Sequence, residues 1–212
     1  MRRFVIVGRT AIASGRFLPK DLPGTSGRLD VLLRCIRAAL LVSHGVRRDT
    51  QVYLVLLGGE EAPRTVRIDG ATAKFLRPDE RSLATLIAKS LGAPERGAAG
   101  FDEVRPGVAI ARGGLECVLE DIGGSSRYVL EEGAADLREV PLNAESCTFF
   151  VGDHLGLDSA ALEGLAGASR VGVGPVSLHA EDAIVTVINE LDRRDAAGRR
   201  SVATGNGPPG SE

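Results

Sequence analysis

The chain has 212 residues, 43% of them hydrophobic, enough to bury a core in one large domain or two small ones. Its formal net charge of −2 argues against a generic polybasic coat for nucleic acid, and Cys35, Cys117 and Cys147, odd in number and without paired spacing, suggest neither a disulfide framework nor a zinc ribbon. No apolar stretch reaches membrane-spanning length, and the run Phe4 to Val7 after Met1-Arg2-Arg3 is too brief for a signal peptide, so a cytoplasmic protein with reduced thiols is expected.

Charge is nevertheless unevenly placed. The first 50 residues carry ten Lys and Arg against Asp21, Asp30 and Asp49, and the remainder is net acidic. One region can therefore present a basic face to an anionic partner.

Phe4-Val5-Ile6-Val7 reads as a strand buried on both faces, and residues 9–27 read as a loop. Leu29 to about Ser43 is a mostly buried helix on which Asp30, Arg34 and Arg37 form one polar stripe, with Asp30 four residues before Arg34 in the favourable order. That stripe is either solvated and internally paired, or its Gly27-Arg28-Leu29-Asp30 start is aimed at a phosphate or base. A Gly stop at Gly45 and a second buried strand, Val52 to Leu57, come next, followed by a short half-exposed strand at Val66 to Ile68. Arg77-Pro78-Asp79-Glu80-Arg81 opens a helix with the buried stripe Leu83, Leu86, Ile87 and Leu91. Residues 92–106, rich in Gly, Ala, Pro and charge, read as a surface loop or a boundary.

From Val108 the pattern alternates between strand and helix: strand to Ala111, helix near Leu115 to Ile122, strand Tyr128 to Leu130, strand Thr148 to Val151, helix near Ala160 to Leu165, strand Arg170 to Val173, then a helix from residue 180. Such alternation predicts an α/β fold with a mostly parallel sheet flanked by helices. The last crossing, VGVGPVSLHAEDA (171–183), combines strand, tight glycine-proline loop and helix start, a place where main chain can approach a ligand closely. In a parallel α/β sheet the ligand crevice lies at the carboxyl ends of the strands, so the loops after Leu130, Val151 and Val173 are expected to converge. No phosphate cradle of the GxxxxGK[ST] type is present, which favours an uncharged or zwitterionic ligand over a nucleoside triphosphate. His44, His154 and His179 lack metal-ligand spacing, so no metal is expected.

The blocks GRLDVLLRC (27–35), SHGVRRD (43–49), PDER (78–81), FVGDHLGL (150–157) and GPVSLHAEDA (174–183), in this order, resemble the archaeal tRNA pseudouridine-54 N1-methyltransferases, a branch of the SPOUT superfamily, over residues 1–194. The resemblance implies a single SPOUT methyltransferase domain over 1–195, its C-terminal part from about 107 tied in a deep trefoil knot; the tail at 196–212, which has no apolar periodicity, reads as disordered. It further implies S-adenosylmethionine as cofactor, tRNA as partner and substrate, and a homodimer. Carried over by block, Leu130, Gly152, Val173, Gly174, Pro175 and Leu178 become cofactor contacts, while Arg28, Arg47, Arg48 and Arg81 become RNA contacts. Asp79 and Asp30 are candidate acceptors for the N1 proton, with a helix N-cap as the competing role for Asp79. Competing functional readings are methylation of pseudouridine in ribosomal RNA and a non-catalytic dimeric RNA-binding protein.

Overall fold

Strand β1, Arg2–Ile12, runs through the middle of the molecule, with alternate side chains feeding two separate cores. Phe4 and Ile6 point into the larger core and Val5 and Val7 into the smaller, all four essentially inaccessible to solvent. A strand covered on both faces can be apolar at every position, which is why its sequence reads as a continuous run. The computed structural model describes residues 1–94, 100–143 and 145–204.

Helix α1 (Leu22–Thr25) and helix α2 (Leu29–Leu40) follow β1. The small hairpin β2 (Leu41–Val42) with β3 (Gly45–Val46) leads to β4 (Thr50–Gly58) and β5 (Arg64–Asp69). Next come α3 (Glu80–Leu91), β6 (Asp102–Arg105), β7 (Val108–Arg112), α4 (Leu115–Ile122), β8 (Ser126–Leu130) and β9 (Cys147–Gly152). The chain closes with α5 (Ser159–Gly164), β10 (Ser169–Val171) and α6 (Ala180–Thr204).

Among the described residues one eight-stranded sheet runs β10-β8-β9-β1-β4-β5-β7-β6. The pairings from β10 to β4 are parallel, whereas β4–β5, β5–β7 and β7–β6 are antiparallel. The sheet is therefore mixed, with four of its seven pairings parallel and an antiparallel side beyond β4. The connections explain it: residues 59–63 between β4 and β5, and Pro106-Gly107 between β6 and β7, are too short for a parallel crossover, so each strand must double back. Helices α2, α3 and α6 cover one face with the larger core, and α4 and α5 cover the other.

Several expected boundaries move. Strand β1 continues through Gly8 to Ile12 across a register shift against β4, so the expected loop begins later. A Cβ on Gly27 or Gly58 would lie 1.8 or 2.1 Å from the Thr10 carbonyl oxygen, so both glycines are needed for two chains to pass the end of β1. Helix α2 ends at Leu40 and Gly45 lies in a hairpin strand rather than at a helix stop. The stretch 92–106 contains the edge strand β6. Helix α6 continues to Thr204, well past the expected end near 195, and the rest of the tail, 205–212, lies outside the described residues.

Phe149 sits on β9 between Phe4 and Tyr128, ring centroids 5.7 and 5.1 Å away, and is fully buried. Replacing a buried phenylalanine by alanine removes its transfer free energy and leaves a cavity. F149A is expected to lower the unfolding free energy by about 3–5 kcal/mol in urea titrations followed by circular dichroism; a loss under about 1 kcal/mol would show that the stack contributes little to the core.

Candidate active site

Strands β8, β9, β1 and β10 all run the same way, so their carboxyl ends deliver four loops to one edge of the sheet. Three of these loops close a pocket of about 190 Å³ lined by Leu130, Glu131, Glu132, Val151, Gly152, Gly156, Val173, Gly174, Val176, Ser177, Leu178 and Ala183. Pro175 lines a second hollow of about 370 Å³ that shares Val173 and Gly174 with the first. The six residues expected to contact a cofactor are thus drawn from one contiguous region. Gly156, Val176, Ser177 and Ala183 were not assigned as contacts from sequence, although Gly156 lies in the loop after β9 and the other three in the flagged stretch 171–183.

The backbone packing here depends on absent side chains. A Cβ on Gly152 would stand 2.3 Å from the Gly156 carbonyl carbon, and one on Gly172 would stand 2.7 Å from the Ala134 oxygen. Gly172 donates its N–H to the Ala135 carbonyl and accepts from Leu137, so the strand leaving β10 is gripped by the connection that follows β8. Gly174, at φ +155°, has open space where a Cβ would be, and its main chain faces the hollow. Asp153 holds the β9 loop: its buried carboxylate accepts from the Arg9 and Leu155 N–H groups, both at 2.8 Å.

Beside this pocket the start of α2 carries a charge cluster. Asp30 is 4% exposed, and its carboxylate accepts from Arg28 Nε (3.0 Å), Arg28 Nη2 (3.3 Å) and Arg34 Nη1 (3.1 Å). Arg34 also reaches Glu181 on the first turn of α6 at 2.7 Å and Glu80 at the start of α3 at 3.6 Å. Burial by itself would push the Asp30 carboxyl up, but the hydrogen bonds and charges of the two guanidiniums outweigh it and hold it below its ordinary 3.8. Arg28 adopts a left-handed backbone, φ 66° and ψ 31°, immediately before α2.

Asp79 is the N-cap of α3, its carboxylate accepting from the Ser82 N–H at 2.8 Å, and that hydrogen bonding keeps it below 3.8. Arg81 is exposed on the first turn of the same helix. Arg47 and Arg48 lie at the opposite edge of the sheet from the pocket, just before β4, whose first residue pairs with Arg2. Arg47 makes a bidentate pair with Asp192 at 3.1 and 2.8 Å, and Arg48 donates to the Gly70 and Ala71 carbonyls. Arg28 and Arg81 stand at the starts of α2 and α3, while Arg47 is engaged in bracing α6 and Arg48 the loop after β5.

The cysteine thiols are not poised for nucleophilic work. Burial raises Cys35 and pushes Cys147 up to about 11. Among the described residues no group of three His, Cys, Asp or Glu could hold a metal ion, and no helix is long and apolar enough to cross a membrane.

A family model described as "Putative SAM-dependent RNA methyltransferase" matches residues 1–196, so the fold and its glycine-lined pocket fall in that class. Curated relatives narrow it. The tRNA (pseudouridine(54)-N(1))-methyltransferase of Methanosarcina mazei is 40% identical over 209 residues, 97% of each chain, and that of Halobacterium salinarum is 42% identical over 196 residues, 91% of this chain and 96% of its own. This chain belongs to the tRNA (pseudouridine(54)-N(1))-methyltransferase family. The crystal structure of Archaeoglobus fulgidus Nep1 bound to S-adenosylhomocysteine shares the fold, with a TM-score of 0.61 at 16% identity over 92% of this chain and 98% of that one.

The Asp30 cluster gives a pH signature. A carboxyl whose folded value is depressed stabilises the fold at every pH above its unfolded value, and that contribution is lost as pH falls through the folded value. The difference in urea midpoint between the wild type and D30N is expected to be constant above about pH 5 and to shrink below the ordinary 3.8. A difference independent of pH would mean that the charge of Asp30 does not stabilise the fold.

Proposed function

We propose that this chain transfers a methyl group from S-adenosylmethionine to N1 of pseudouridine 54 in the T-loop of tRNA. The observation that carries the reading is the convergence of three glycine-containing loops on one pocket beside the Arg28–Asp30–Arg34 cluster. Family membership over the whole described chain supports it.

The residues present fit the cofactor. The two joined hollows have the size of a small-ligand site, Leu130, Val173 and Leu178 offer apolar walls to a flat base, and exposed main chain at Gly152 and Gly174 can hydrogen-bond polar groups. Glu132 places negative charge at the rim, complementary to a sulfonium, whereas the neighbouring Glu131 is paired with Arg170 at 2.6 Å. When bound, the cofactor supplies an electrophilic methyl whose leaving group departs as a neutral thioether, so the protein's share is mostly positioning.

Asp79 and Asp30 are the carboxylates nearest in role to a proton acceptor. With both held below their ordinary values, each is ionised but weakly basic near neutral pH. In this reading Asp30 acts chiefly by fixing Arg28, whose guanidinium stabilises negative charge on the imide as its N1 proton passes to solvent water, and Asp79 fixes the start of α3. Arg28 and Arg81 face the RNA; Arg47 and Arg48 serve it through the framework they brace. Ribose-phosphate and base must both reach the pocket, so the target nucleotide is turned out of its stack.

The trefoil knot is part of the same proposal. It is supported by the path of 172–179, which leaves the edge strand β10 against residues 134–137 and returns to begin α6 on α2. So is a homodimer, working in the cytoplasm. The hollow of about 600 Å³ beside α2 and α6 is lined by Ala38, Leu41, Val42, Pro78 and Val185 together with Arg34, Arg37, Ser43, Glu181 and Asp182, and Val42 and Val185 are 45% and 50% exposed, so exposed apolar groups rimmed by charge offer a surface suited to a second copy.

Two measurements test these statements. Radiolabelled methyl from S-adenosylmethionine is expected in a tRNA transcript carrying pseudouridine at position 54 and not in one carrying uridine there; label in neither, with cofactor binding intact by calorimetry, would refute the substrate. V185E is expected to shift sedimentation from dimer toward monomer and to lower methyl transfer at least tenfold, because it buries a charge in the interface. An unshifted dimer would assign the interface elsewhere.

A further inference from the structure

Phe75 is the anomaly of this molecule. The chain has six phenylalanines, two tyrosines and no tryptophan, yet Phe75 is 93% exposed. Phe4, Phe17, Phe149 and Phe150 are buried, and Phe101 packs edge-on against Tyr53 and under Arg67. Phe75 also has φ +62°, a left-handed backbone that bulky side chains disfavour because Cβ crowds the carbonyl.

The exposure is not that of a loose end, since both ends of the 70–79 loop are fixed. At the entry, Arg48 donates to the Gly70 and Ala71 carbonyls, Ala73 is buried and donates to the Asp69 carbonyl, and Gly107 packs so tightly on Ala73 that a Cβ would lie 2.2 Å from its nitrogen. At the exit Asp79 caps α3. Between these anchors the ring is held in water next to cations. Lys74 and Arg77 flank it and Arg81 follows on the first turn of α3; all three are exposed and none is held in an ion pair among the described residues. The acids nearby are already engaged, Asp79 as the cap and Glu80 with Arg34.

We infer that Phe75 is a stacking platform for an unpaired RNA base, with Lys74 and Arg77 contacting the adjoining phosphates. A flat ring in water offers a face to any base, and flanking cations supply the complementary charge. Its place suits the proposed reaction: the loop ends at Pro78, which shares a hollow with Arg34 and Glu181, and Ala183, two residues further along α6, lines the cofactor pocket. The platform thus receives a nucleotide near the target rather than the target itself. This inference rests on the proposal that the substrate is RNA.

The absence of tryptophan makes a direct test available. In F75W the sole tryptophan reports stacking through quenching of its emission. With the pseudouridine-54 tRNA transcript, F75W is expected to bind as tightly as the wild type and to be quenched saturably. F75A is expected to raise the RNA dissociation constant and KM about 5- to 100-fold, with cofactor affinity and sedimentation unchanged, and F75L, apolar but not aromatic, should recover little of that loss. K74Q/R77Q should reduce the salt slope of RNA binding by about 1 to 2. Unquenched F75W emission on bound RNA, or wild-type KM in F75A, would overturn the platform; dissociation of F75A into monomers would assign Phe75 to a protein interface instead. If the wild type methylates no tRNA but RNA still quenches F75W, the reaction proposed above falls and the platform stands.

Discussion

Helix α6 lies against α2, and the rest of the structure depends on its being returned there. Strand β10 is at the outer edge of the sheet, whereas α2 covers β1 and β4 at its centre. The chain must therefore cross back over β8 and β9 to reach its packing partner, and the crossing segment, 172–179, forms one wall of the pocket. Apolar side chains Ile184, Val187, Ile188 and Leu191 supply the burial, and arginines clasp the helix on either side of this apolar stretch. Arg34 holds Glu181 on the first turn; Arg2 holds Asp192 at 2.6 Å and Asp195 at 2.7 Å, and Arg47 holds Asp192 as well. Arg2 is 4% exposed, so burial opposes its charge and the three carboxylates around it, Asp49, Asp192 and Asp195, more than restore it.

This arrangement ties the site to the frame. Arg34 is bonded at once to α2 through Asp30 and to α6 through Glu181, with Glu80 of α3 close by, so the orientation of Arg28 depends on all three helices. Sub-ångström placement of a base against a methyl donor has to come from such coupling, because methyl transfer needs no covalent intermediate and the cysteine thiols are buried or weakly acidic.

What the sequence made legible was local periodicity. Strands buried on both faces, such as Phe4 to Val7, and the helices 29–40 and 115–122 appear as runs and stripes because burial acts on each element separately. Strand direction was legible for β8, β9 and β10, which pair parallel as the alternation predicts, but not for β5, β6 and β7, since a strand looks the same whether it pairs parallel or antiparallel. The pocket loops were legible because glycine marks close backbone approach, as at Gly152, whereas the individual contact residues followed only from the family resemblance. The pairing of Arg34 with Glu181, 147 residues apart, could not be read from helical spacing, which offered only the partner Asp30 four residues earlier. No local signal encodes a crossing, and rules of connection would have excluded threading outright.

The distribution of arginine resolves an apparent tension between an RNA substrate and a net charge of −2. Six of the ten basic residues that enrich the first 50 positions are paired within the fold: Arg2 and Arg47 by α6, Arg9 by Asp158, Arg16 by Glu61, Arg28 and Arg34 by Asp30. Counting cations along the chain therefore overstates the field available to a polyanion. A protein built this way cannot hold RNA by charge density over a broad face, as a polybasic surface does. It needs a few correctly placed contacts, and contacts that do not depend on charge at all. An aromatic ring exposed to water beside Lys74 and Arg77, neither of them in an ion pair among the described residues, answers that need, which is why a chain so sparing of aromatic residues leaves Phe75 uncovered.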